Sequence, residues 1–214
     1  AYKWGYFPEV KEYDLTELFD FKKQNKIPKL LWVGRFLDWK HPDDVIKLGK
    51  MLKDNGHEFN IDIIGTGPME CKLKNMIYSN NLQSQIKLLG SMKPEQVREH
   101  MEKANIFLFT SDFNEGWGAV LNEAMNSGCA VIASHAIGSV PYLINNGENG
   151  LIYSNGNIDH LYKNTRYLLE NNDECFRLGE NAYMYLKETW NEKVAATRFT
   201  YLSEYLLSGK LQHF

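Results

Sequence analysis

The chain has 214 residues, 43% hydrophobic and 24% charged, enough for one sizeable core and hence a single domain. Its net charge of −3 offers no basic field for nucleic acid or an anionic membrane, so nucleic acid is not an expected partner. No apolar run approaches the roughly 20 residues of a membrane span, there is no signal peptide, and three widely spaced cysteines, Cys71, Cys129 and Cys175, suit neither a disulfide framework nor a zinc site, so a reducing cytoplasm is expected.

In chain order, residues 1–28 are aromatic-rich and then mixed and charged, with no motif. Trp4, Tyr6 and Phe7 are expected to pack on this domain or on a partner domain, the first being favoured since aromatics are more often core than interface. Residues 29–34 (KLLWVG) read as the first buried strand. A turn with Arg35, Asp38, Trp39 and Lys40 follows, then a helix from Pro42 to about residue 53. A glycine after a strand and basic residues before a helix fit a phosphate site, Arg35 as a fork and Lys40 as a point charge; two solvated loop charges are the alternative.

Residues 59–64 form a second strand, ending in Gly65-Thr66-Gly67-Pro68, with a helix from about Met69. This Gly-x-Gly has no third glycine and no following acid, so it does not make a dinucleotide fingerprint. Residues 85–89 are a third strand ending at Gly90, and Pro94 opens a helix with Val97, Met101 and Ala104 on one face. His100 is expected to be a surface or half-buried helix residue.

The most informative stretch is 106–133. An apolar strand, 106–109, runs into the turn and cap formers Ser111, Asp112 and Asn114. Glu115-Gly116-Trp117-Gly118 follows, then a helix from Ala119 to Asn126. Ser127-Gly128 stops it, and 129–133 is a fifth strand. Glu115 and Glu123 are eight residues apart, which on a continuous helix is a rise of about 12 Å. That is wide for two carboxylates sharing one glycosidic bond, which sit roughly 5–9.5 Å apart, and suits holding two ends of one long ligand. After a loop, 135–141, come a short helix to Asn145, a turn and a short strand, 151–153; helices are expected at 158–170, 173–188 and 191–208. His135 is expected to make a loop hydrogen bond in preference to acting as a base.

The pattern Ser111…Glu115-Gly116-Trp117-Gly118…Glu123-Ala124-Met125…Gly128 resembles the Glu-x7-Glu signature of retaining family-4 glycosyltransferases of the two-lobed B type. The resemblance covers about residues 30–208, the nucleotide-sugar-binding half of that family, so the chain reads as a domain cut from a longer protein. It implies three catalytic residues: Arg35 and Lys40 on the donor diphosphate and Glu115 on the donor sugar. It also implies donor contacts from Glu123 to the ribose, from the backbone of Gly116, Trp117, Gly118, Ala119 and Val120 to the phosphates, from the Gly65 and Gly67 loop, and from the backbone at Gly90 to the base. It implies a nucleoside-diphosphate sugar as substrate, no cofactor, an acceptor-binding N-terminal domain as the missing partner, and a glycan or lipid-linked acceptor. No Asp-x-Asp pair stands ready for a metal. The chain departs from the family at His41, where glycine is usual, and in its Gly-Gly-x-Pro-Glu stretch, where Gly138 and Pro141 remain but Ala136–Ile137 and Tyr142, the latter in place of an acid, differ.

The expected fold is α/β, a Rossmann-like parallel sheet of about six strands with helices on both faces and further C-terminal helices. The expected division is 1–28 as an interdomain segment, 29–190 as the donor-binding domain, and 191–214 as a helix crossing back to the missing domain. A cytoplasmic protein is expected, with peripheral membrane attachment of the full-length form left open, and a fragment inactive alone. Two rivals remain: a sugar-nucleotide epimerase of the same fold, which needs a base beside the sugar, and a non-catalytic nucleotide-binding module.

Overall fold

The computed structural model describes residues 4–208. Six strands, β1 (Lys29–Val33), β2 (Asn60–Ile64), β3 (Ile86–Gly90), β4 (Ile106–Phe109), β5 (Ala130–Ser134) and β6 (Leu151–Tyr153), form one sheet in the order β3-β2-β1-β4-β5-β6. Every pairing is parallel. A sheet buried on both faces needs apolar side chains at consecutive positions, and β1, β4 and β5 supply them. Leu30 and Trp32 point to one face, and Leu31 to the other.

On the first face the strands meet α2 (Pro42–Asp54), α3 (Glu70–Ser79) and α7 (Ile158–Glu170), through residues such as Ile46, Leu73 and Leu161. On the second they meet α4 (Pro94–Lys103), α5 (Val120–Asn126) and α8 (Asn172–Thr189), through Met101, Leu121 and Leu186. The short α6 is Val140–Leu143, two residues shorter at its end than the sequence reading. The final helix, α9 (Glu192–Leu207), buries none of its residues; Phe199, Tyr201, Leu206 and Leu207 are all exposed. Its expected extension over 209–214 lies outside the described residues. Among the described residues no helix is long and apolar enough to cross a membrane.

The N-terminal segment is more ordered than its composition suggests. α1 (Leu15–Lys23) starts at Asp14, whose carboxylate accepts from Glu17 N at 3.2 Å. Lys22 is 1% exposed. Its ammonium donates to Met101 O at 3.0 Å and to Ala104 O, the last carbonyls of α4, with Cys129 Sγ at 3.9 Å. A cation at a helix C-terminus meets its negative end, which compensates the burial. Burial holds the Lys22 pKa below its ordinary value, against the pull of the Cys129 and Cys175 thiols, whose own pKa values burial raises. Phe7 packs as expected, its ring stacked on Trp190 at 4.4 Å, whereas Trp4 and Tyr6 are half exposed.

Candidate functional site

The strand order reverses between β1 and β4, so their following loops leave the sheet side by side at its carboxyl edge, where ligands of open α/β sheets bind. After β1 the chain makes a 3-10 turn, Asp38–Lys40, and enters α2 through His41. His41 is left-handed, φ 48°, a conformation glycine adopts freely and other residues at a cost of about 1 kcal/mol or more. Its neighbours over-determine it. Trp32 Nε1 donates to Thr110 Oγ1 at 2.9 Å, and Thr110 Oγ1 donates to Lys40 O at 2.7 Å. Asp112 N donates to Trp39 O at 2.9 Å, and His41 Nε2 lies 3.4 Å from Asp112 Oδ2. Burial pushes the Asp112 pKa up, but hydrogen bonds from Asn114 and His41 outweigh it and hold the carboxyl below its ordinary value.

These contacts bring Lys40 and Glu115 together. Lys40 Nζ pairs with Glu115 Oε2, Ser111 Oγ donates to the same oxygen at 3.1 Å, and Lys40 Nζ lies 4.5 Å from the Trp39 ring centre. The side chains are 16% and 11% exposed, so this is not a solvated surface pair. Arg35 is in the same loop but exposed, with no ion pair or side-chain hydrogen bond among the described residues.

The neighbouring loops interlock through backbone. A Cβ on Gly65 would overlap Gly34 O, so only glycine lets the loops after β1 and β2 touch. Phe36 N donates to Thr66 O at 2.9 Å, and Gly65 N to Gly90 O at 2.8 Å. A Cβ on Gly67 would crowd the Phe36 backbone, whereas Gly90 and Gly116 face open space. Gly138 N donates to Glu115 O at 3.1 Å, with no room for a side chain against Gly116 O.

Two details differ from the sequence reading. Gly118 has φ +72°, so α5 starts at Val120; Gly116, Trp117 and Gly118 lie in the loop, and only Ala119 and Val120 stand at the helix start. Glu123 is the fourth helical residue, and a loop fills most of its spacing from Glu115, so the continuous-helix rise does not apply. Its half-buried carboxylate has no side-chain hydrogen bond among the described residues and borders a groove of about 410 Å³ lined by Lys11, Pro94, Glu95, Arg98, Glu99 and Glu102. Burial raises its pKa, and the Arg98 guanidinium partly offsets this. Arg98 Nη1 donates to Glu123 O, Asn126 Oδ1 and Ser127 Oγ at 3.3, 3.0 and 3.3 Å. The Trp117 ring turns into its own domain, stacked on Trp190, with Nε1 donating to Asn122 Oδ1 at 2.9 Å.

His135 makes a loop hydrogen bond, its Nδ1 accepting from Asn155 N at 3.0 Å. His100, half buried on α4, lies 3.3 Å from Asp62. Sequence reasoning missed Thr110, the His41–Asp112 contact and Arg98. No motif marks Arg98, whose role depends on α4 and α5 being adjacent.

The family model described as glycosyl transferases group 1 matches residues 15–185, most of the chain. The chain belongs to this family. An uncharacterized glycosyltransferase of Methanocaldococcus jannaschii is 32% identical over 172 residues, 80% of this chain and 47% of that protein. The chain thus spans about half the length of the curated relatives it matches. Among solved structures, HepE of Anabaena in complex with UDP superposes with a TM-score of 0.73 at 20% identity, covering 94% of this chain and 54% of that one. The C-terminal domain of a group 1 glycosyl transferase, LpcC, from Francisella tularensis superposes with a TM-score of 0.70 at 19% identity, covering 86% of this chain and 96% of that one. These superpositions show that the chain shares its Rossmann-like fold with both structures.

Proposed function

We propose that the chain is the donor-binding lobe of a retaining glycosyltransferase, which moves a sugar from a nucleoside-diphosphate sugar to a glycan or lipid-linked acceptor held by a second lobe. The observation that carries this reading is the Lys40–Glu115 pair, enclosed where the strand order reverses. A cation and a carboxylate there match the two halves of a nucleotide sugar, an anionic diphosphate and a polyhydroxylated ring.

In this reading Lys40 and Arg35 take the diphosphate. Negative charge grows on the leaving phosphate as the glycosidic bond breaks, so these cations act most strongly in the transition state. The backbone amides of residues 116–120 add to them. Glu115 orients the sugar hydroxyls. Glu123, with no side-chain hydrogen bond among the described residues, takes the ribose hydroxyls, and the open backbone at Gly90 faces the base. Residues 29–190 carry the donor domain's sheet and covering helices, 1–28 enter from the acceptor lobe and pack on them, and the helix from 191 leads back towards that lobe. Domain closure completes the site, so this chain alone binds nucleotide and transfers no sugar. A cytoplasmic enzyme, attached peripherally or not at all to the membrane, goes with this reading.

The test is a thermal-shift panel of nucleoside diphosphates and their sugars, with UDP first because HepE was solved with it. Stabilisation by one diphosphate family, absent with the bare nucleoside, is expected. No stabilisation by any nucleotide would overturn the reading, and transfer by this chain alone would overturn its two-lobe form.

A further inference from the structure

The segment ahead of α1 serves only as a connection in the scheme above, yet it reaches the proposed donor loop directly. A Cβ on Gly5 would overlap Cη2 and Cζ3 of Trp117, so nothing larger than hydrogen fits without moving the indole. That indole also stacks on Trp190, with 5.7 Å between ring centres and 17° between planes. Trp190 stacks in turn on Phe7 and donates from Nε1 to Tyr6 O at 2.8 Å. Six residues on, the segment grips the far end of the same unit. Asn126, 2% exposed at the end of α5, accepts from Lys11 N and donates to Lys11 O, both at 3.0 Å.

The unit that carries Glu115 and Glu123 is therefore held near its start by Gly5 and at its end by Lys11. There is little slack between Trp117 and Glu115. Gly116 O packs against Gly138, and Glu115 O accepts from Gly138 N. Only Gly116 separates Trp117 from Glu115, so a displacement of the indole that moves the backbone is felt at Glu115.

We infer that residues 5–11 are a positioning strap, and that Gly5, acting through Trp117, sets where Glu115 stands against the donor sugar. The functional half of this statement rests on the proposed donor site; the mechanical half does not. The strap touches no ligand itself. Its effect should fall more heavily on the sugar's share of binding than on the nucleotide's, whereas a merely structural contact would weaken both alike.

Gly5→Ala adds one methyl against the outer ring of Trp117, and Trp117→Phe removes that ring. In Gly5→Ala, hydrogen exchange at the amides of residues 115–118 should quicken while the sheet amides keep their rates. UDP affinity should fall by no more than about threefold, since Lys40 and Arg35 keep their places while the amides at 116–118 loosen. The extra affinity of UDP-glucose over UDP, or of the diphosphate and sugar selected by the panel, should fall by about tenfold. Adding Trp117→Phe should restore most of both effects, because the methyl then has room. Unchanged exchange at residues 115–118 would overturn the strap, as would equal losses for UDP and the nucleotide sugar. If Gly5→Ala does not fold, Trp117→Phe alone opens a gap under Gly5 and should quicken the same amides; normal exchange there would also overturn it. If wild type binds no nucleotide, the proposed function falls, and the strap is decided by the exchange data alone.

Discussion

Without ligand, the two groups assigned to the diphosphate and the sugar neutralise each other. A diphosphate must take Lys40 away from Glu115, so part of its attraction is spent separating the pair. Glu115→Gln keeps the side-chain shape and the acceptor for Ser111 but removes the charge. The pair is partly buried, at 16% and 11% exposure, so its coupling should exceed the ~0.2–1 kcal/mol of exposed pairs. Burial costs keep it well below the gross attraction, and a net value of about 1–2 kcal/mol is reasonable. Released Lys40 should then bind UDP more tightly by about five- to thirtyfold. The nucleotide sugar, deprived of the carboxylate that orients its hydroxyls, should gain less or lose affinity. Calorimetric titration of both ligands, at one fixed salt concentration, measures the two changes. UDP weakened as much as its sugar would refute the competition and remove Glu115 from the phosphate-facing pair.

Three further outcomes are expected. Arg35→Ala should leave folding within ~0.5 kcal/mol, since the side chain is exposed, yet weaken a diphosphate by roughly 1.5–3 kcal/mol against no change for the nucleoside; equal losses in calorimetry would take it out of the site. Glu123 has its pKa raised by burial, so wild-type nucleotide affinity should decline as pH falls towards that raised value, while Glu123→Gln lacks this step. The fold holds the protonated form more readily than the unfolded chain does, so wild-type stability should rise relative to Glu123→Gln over the same acidification, read by urea unfolding at several pH values. Lys22→Met should destabilise by about 1–3 kcal/mol in urea unfolding, because the carbonyls of Met101 and Ala104 lose their buried donor; a neutral result would mean that the cost of burying the ammonium cancels its two bonds.

The sheet was legible because strands covered on both faces must be apolar at consecutive positions, as in 30–32 and 106–109, and because Gly65, Gly90 and Gly128 punctuate their ends. Their order in the sheet was not, since pairing depends on contacts remote in sequence. α1 was missed because Lys22 looks like one more solvated charge; only the end of α4, 79 residues away, makes it a core residue. At the site, the residues that meet across the reversal of strand order were legible by type, and Lys40 and Glu115 do meet. The route was not. His41 reads as a departure from glycine, and only the fold brings Asp112 to it. The start of α5 was misjudged by one residue because Gly118, packed under Phe109 in a left-handed turn, delays the helix.

The lysine under α4 also bears on where such a chain can be recombined. By hydrophobic runs, the obvious splice point for a chimera is just ahead of residue 29. A graft joined there would keep all six strands, yet leave an empty seat beneath α4, with two helix-end carbonyls facing the Cys129 thiol and no cation to meet them. It would also discard the glycine that lies on Trp117. The transferable module therefore begins before Gly5, and hybrids cut at the first strand should be poorly stable even when every strand and both glutamates are native.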